Sequence, residues 1–80
     1  MTIFARSKKA AFSSEGITLM VKKNDDKPES FSLCVYGAHI PGGEMVLETY
    51  SKRDEAMEVL RQFFVAASQN HSVFEIFPGW

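Results

Sequence analysis

The residues able to carry chemistry are few. Cys34 is the sole cysteine, and His39 and His71 are the only histidines. Cys34 stands between Leu33 and Val35 in an alternating run, where a thiol serves as a small buried hydrophobe rather than a nucleophile. The three residues show no zinc-ligand spacing, and one cysteine closes no disulfide within the chain. His39 falls at a strand end and His71 at a helix–strand junction, where histidine needs no metal or acid–base duty to explain it. Gly42-Gly43 follows Pro41 and leads into a strand, so it lacks the helix N-terminus that lets a glycine loop cradle phosphate. Asn24-Asp25-Asp26 lacks the alternating ligands and distal Glu of an EF-hand loop. There is no paired-carboxylate motif, GxSxG, HExxH or Walker loop. These observations argue against an enzyme and call for no metal or cofactor. An enzymatic alternative would have to use Cys34 or His39.

The charges are more informative. The formal net charge is −1, but residues 1–23 carry Arg6, Lys8, Lys9, Lys22 and Lys23 against Glu15 alone. That basic third, +4, is joined to a remainder of −5. Few cations on so short a stretch suit a small phosphorylated ligand or an acidic protein surface better than a polynucleotide. Phe4 and Phe12 lie among them and could stack on bases, yet a pI near 6.1 and an acidic helix start argue against binding duplex nucleic acid. The plainer reading is that these lysines solubilise strands and guard a sheet edge.

The elements that must position these groups follow from periodicity. The 80 residues are one domain, 45% hydrophobic and 24% charged, a composition that argues against disorder. No apolar run approaches the ~20 residues of a membrane span, and the N-terminus lacks a signal-peptide pattern. The expected location is cytoplasmic. Thr2–Arg6 and Ala10–Ser13 flank a polar turn and predict a small hairpin. Ile17, Leu19 and Val21 share one face of a strand, and Phe31, Leu33 and Val35 one face of the next, Glu29–Ala38. Asn24–Pro28 is turn chemistry between them. Pro41-Gly42-Gly43 turns the chain into Glu44–Tyr50, with Met45 and Leu47 on one face and Val46, Glu48 and Tyr50 on the other.

A helix is expected over about 52–68. Ser51 is positioned to cap it, with Asp54 reaching back in the manner of a capping box. Ala56, Val59, Leu60, Phe63, Phe64 and Ala67 form its apolar stripe. Gln69-Asn70-His71 breaks the helix, Ser72–Phe77 forms a last strand, and Pro78-Gly79 ends regular structure. The prediction is therefore α+β: an antiparallel meander of five or six strands with one helix packed on one face.

One helix cannot cover both faces of such a sheet. Met20, Cys34, Tyr36, Val46, Tyr50 and either Phe74/Ile76 or Val73/Phe77 are left for the opposite face. A chain of this size buries only roughly 60–65% of its unfolded surface, so self-association would add needed stability. A homodimer, a higher oligomer or a partner-binding surface is expected there. Alternatively, the N-terminal hairpin folds over that face and closes a barrel or sandwich.

Four segments resemble a set of small proteins encoded by phages and prophages. Ala5-Arg6-Ser7-Lys8-Lys9 looks like the family's opening hairpin, and Leu47-Glu48-Thr49-Tyr50-Ser51 its signal before the helix. Asp54-Glu55-Ala56-Met57-Glu58-Val59-Leu60 is similar to the capped helix, and Val73-Phe74-Glu75-Ile76-Phe77-Pro78 to the tail. The resemblance spans nearly the whole chain, describes fold and implies no catalytic activity. It implies a protein that works in the cytoplasm of a host cell by occupying a surface. The leading expectation is a non-enzymatic inhibitor of a host (defence) protein, acting through the exposed sheet face or the basic third. The alternative is an oligomeric sponge for a phosphorylated nucleotide signal. The candidate contact residues are Arg6, Lys8, Lys9, Lys22, Tyr36 and Tyr50.

Overall fold

In the computed structural model, which describes residues 1–25 and 29–77, the chain is α+β with six strands and one helix. The strands are β1 (Thr2–Ala5), β2 (Ala10–Ser13), β3 (Ile17–Lys23), β4 (Phe31–Gly37), β5 (Glu44–Tyr50) and β6 (Val73–Ile76), and the helix is α1 (Arg53–Ser68). They form two three-stranded sheets rather than one meander: β3-β4-β5 and β2-β1-β6. The first is the expected antiparallel meander, in which Leu19 faces Val35 and Val21 faces Leu33. The second closes the chain on itself, because β6 runs parallel to β1, with Ile3 opposite Phe74 and Ala5 opposite Ile76. Hairpin turns enforce local pairing; a parallel partner requires a long crossover, and hydrophobic alternation along one strand does not name it.

Local chemistry accounts for the junctions. The β1–β2 turn is a short 3-10 segment ending at Lys9, whose φ of 51° is left-handed and whose N–H donates to the Arg6 carbonyl at 3.1 Å. Between β3 and β4, the Asn24 side-chain amide donates to the hydroxyls of Ser30 (2.8 Å) and Ser32 (3.0 Å). These bonds supply partners for two buried hydroxyls. Asp26, Lys27 and Pro28 of the expected turn lie outside the described residues, as do Pro78 and Gly79.

Helix α1 starts one residue later than its sequence signal. Lys52 occupies the N-cap with no side-chain hydrogen bond, and Ser51 Oγ donates to Glu55 Oε1 at 3.3 Å instead of accepting from the backbone of Asp54. Its end is a Schellman motif: the N–H of His71 donates to Ala66, that of Asn70 to Ala67, and Asn70 takes φ 58°.

The core is shared by all three layers. Ile3 and Ala5 of β1 and Ile76 of β6 meet Leu33 and Val35 of β4, Leu47 and Tyr50 of β5, and Ala56 of α1. Phe63 and Phe74 pack edge to face with ring centroids 5.5 Å apart. The inward stripe of α1 is Ala56, Val59, Leu60, Phe63 and Ala66, while Phe64 and Ala67, expected in it, are exposed. Each residue turns about 100° round a helix, so Phe64 leaves the core face that Phe63 occupies. The N-terminal hairpin lies on the core side, joined to β6, and does not fold over the outward face of the meander.

Candidate functional site

Two outward sheet faces are left. On the meander, strand pairing sets residues in rows: Met20, Cys34 and Val46 cross the middle, and Thr18, Tyr36 and Glu44 form the row beside them. Lys22 pairs with Ser32 on the opposite side of the middle row. Met20 is 47% exposed and Val46 38%, whereas Cys34 between them is buried. Burial pushes the Cys34 thiol up, the Glu44 carboxylate adds to this, and Lys22 and a hydrogen bond from Tyr36 oppose it. Burial thus favours the un-ionised thiol. Desolvation also raises the Tyr36 phenol, reinforced by the neighbouring Glu44 carboxylate.

The second face belongs to the small sheet. Phe4 lies beside Ala11 of β2 and Glu75 of β6, and Thr2 beside Val73. Phe4 is 37% exposed, Val73 59% and Phe77, just past β6, 49%. Arg6 ties this patch together: its Nε donates to Glu75 Oε2 at 2.9 Å, and its guanidinium sits 4.8 Å from the centroid of the Phe77 ring. Lys8 and Lys9 lie in the adjoining turn, both exposed. Ser7 Oγ in the same turn donates to Glu48 of β5, which holds the turn against the meander.

The six expected contact residues therefore do not form one site. Arg6, Lys8 and Lys9 belong to the small sheet and its turn; Lys22 and Tyr36 lie on the meander's outward face. Tyr50 belongs to neither, which corrects the sequence reading. The β4–β5 register shifts between Leu33/Glu48 and Cys34/Val46, so Leu47 is an extra residue in β5. This bulge reverses the alternation beyond it and turns Tyr50 into the core. Its hydroxyl donates to the Phe77 carbonyl at 3.1 Å, and burial pushes its phenol up to about 12.

Cys34 and His39 are not brought together either. Cys34 is mid-strand, whereas His39 lies in the turn after β4 with Nε2 3.1 Å from the Ser13 carbonyl. His71 Nε2 is 3.1 Å from Gln69 Oε1, beside an open groove of about 260 Å³ between the end of α1 and Phe74. Among the described residues no group of three or more His, Cys, Asp or Glu is placed to hold a metal ion. Among them too, no helix is long and apolar enough to cross a membrane.

Sequence inspection offered Val73/Phe77 as one alternative for an outward face but missed their union with Phe4 and Glu75. Its signal was present, because Phe4 alternates with Ile3 and Ala5, and Val73 and Glu75 alternate with Phe74 and Ile76. Only the parallel β1–β6 pairing makes these half-patterns one surface. No protein-family model matches the chain, and neither a curated protein nor a solved structure matches it.

Proposed function

We propose that this chain is a non-enzymatic protein-binding module whose docking surface is the outward face of the β2-β1-β6 sheet with its basic turn. The observation that carries this is the exposure of Phe4, Val73 and Phe77 on one face, with the Arg6 guanidinium on the Phe77 ring. Aromatic and arginine side chains presented together are the composition of protein-binding hot spots. Lys8 and Lys9 at the rim select a partner with an acidic surface by steering and by register. The resemblance to small phage and prophage proteins supports a host (defence) protein as that partner, inhibited because its surface is occupied.

The competing sponge for a phosphorylated nucleotide needs converging cations. Arg6 already serves Glu75, and Lys22 stands on the other sheet. The protein-docking reading therefore takes precedence.

The test uses the full chain as bait for host-cell protein, beside Phe4→Ser/Phe77→Ser and Lys8→Glu/Lys9→Glu variants. A partner held by the wild type, released by both variants, and recaptured by the Lys8→Glu/Lys9→Glu chain when its own acidic patch is reversed is the expected result. In parallel, melting is followed with nucleotide mixtures. A nucleotide that raises the transition by RT ln(1 + [L]/Kd), with no partner lost on charge reversal, would favour the sponge instead.

A further inference from the structure

The other outward face has its own logic. On the β3-β4-β5 sheet the apolar row Met20–Cys34–Val46 is flanked by Lys22 at one corner and Glu44 at the opposite corner. Both are exposed, and among the described residues neither is in an ion pair. An apolar-centred patch with opposite charges at diagonal corners is self-complementary under a two-fold rotation. We propose that this face binds a second copy of the chain, face to face, on a two-fold axis passing beside Cys34 and perpendicular to the Lys22–Glu44 diagonal.

The geometry follows from strand dimensions. With strands about 4.8 Å apart and same-face residues about 6.8 Å apart along each strand, the diagonal lies roughly 35° from the strand direction. Rotation about the proposed axis then crosses the two sheets at about 70°, near the orthogonal packing class. Each Lys22 comes over the second copy's Glu44, so one rotation makes two ion pairs. Met20 comes against the second copy's Tyr36, and Cys34 lies on the axis. Rotation about the strand direction instead puts Lys22 over Thr49 and Glu44 over Thr18, leaving both charges unmatched. The charges thus select one orientation from several that would cover the same apolar row.

Three seven-residue strands present a face of only about 24 by 14 Å, so the dimer belongs to the small, weak interface class. The small sheet's outward face stays open in this arrangement. The proposal is independent of the partner assigned to that face.

The experiment is light scattering and sedimentation of the full chain from about 1 to 300 μM, a range spanning micromolar dissociation. The expected wild-type mass rises from 9.0 kDa toward twice that value. Lys22→Glu and Glu44→Lys each convert both pairs to repulsions and weaken the dimer on the order of tenfold or more. The decisive arm is the exchange: the double variant Lys22→Glu/Glu44→Lys dimerises again, and an equimolar mixture of the two single variants forms the heterodimer. Circular dichroism checks that each variant is folded. If either reversal unfolds the chain, Lys22→Gln and Glu44→Gln replace it, with a several-fold weaker dimer expected from each and no further loss from their combination. A wild type that stays monomeric across the range overturns the proposal. So does a dimer indifferent to both reversals, or an exchange that restores nothing.

Discussion

The two sheets hold the same core from different sides but are built by opposite means. The meander is three seven-residue strands that follow one another along the chain, so its pairings are local and each strand is long enough to carry its own register. The small sheet is three four-residue strands, and its β1–β6 pairing joins the two ends of the chain. What keeps the small sheet in place is burial: Ile3, Ala5 and Ile76 are inaccessible to solvent, or nearly so, within the common core. The outward faces differ correspondingly. The meander offers an apolar row between diagonal charges, and the small sheet a set of aromatic and aliphatic side chains clasped by one arginine.

If the core couples the sheets, cutting either side should unfold both. Leu33→Ala on the meander and Ile76→Ala on the small sheet each remove a fully buried side chain and should cost about 2–5 kcal/mol. In urea titrations, far-UV dichroism and near-UV dichroism of the core aromatics should give one coincident transition for both variants. Separate transitions for Ile76→Ala would break the comparison by making the small sheet an independent unit.

Tyr50 is the polar tie between the regions, since it stands in β5 and donates to Phe77 beyond β6. Tyr50→Phe should cost about 1 kcal/mol by leaving the Phe77 carbonyl without that partner. The sign of the pH effect follows from a phenol raised to about 12 in the fold against 10 for the free group. Its contribution is complete below pH 10 and is lost as pH climbs from 10 to 12, on the order of 1–2 kcal/mol with water screening part of it. Wild-type stability measured between pH 9 and 12 should therefore fall more steeply than that of Tyr50→Phe.

A smaller effect separates folding from docking at Arg6. Its pair with Glu75 is half exposed, so Arg6→Ala should lower stability by less than about 1 kcal/mol. The same change should weaken partner capture severalfold, because Phe77 loses the guanidinium that orients it. Equal loss in both measurements would make Arg6 merely structural. Smallest of all is Lys9→Gly. Lys9 holds a left-handed φ, so glycine relieves strain and should stabilise the hairpin by about 0.5–1 kcal/mol in thermal melts. Partner binding should weaken at the same time.

The local pattern of this chain was legible residue by residue. Ile17, Leu19 and Val21 declared their shared face, the Pro41-Gly42-Gly43 turn declared its own place, and Ala56, Val59 and Phe63 declared the inner side of α1. Each is a property of neighbours within a turn or two, where steric and periodic constraints act along the backbone. The capping signal at Ser51 was weaker, because Lys52 takes the N-cap and the Ser51 hydroxyl finds Glu55 instead.

Sequence by itself determined an α+β chain of five or six strands with one helix, the basic first third and an apolar excess on the outward face of the meander around Met20 and Val46. Tertiary structure alone decided two things. It paired β1 with β6, assembling Phe4, Val73 and Phe77 into one surface, and it inserted the Leu47 bulge that carried Tyr50 from the expected surface into the core. The reason is physical. Alternation tells a residue which side of its own strand it occupies, but the partner strand and the register are chosen by packing among segments far apart in the chain.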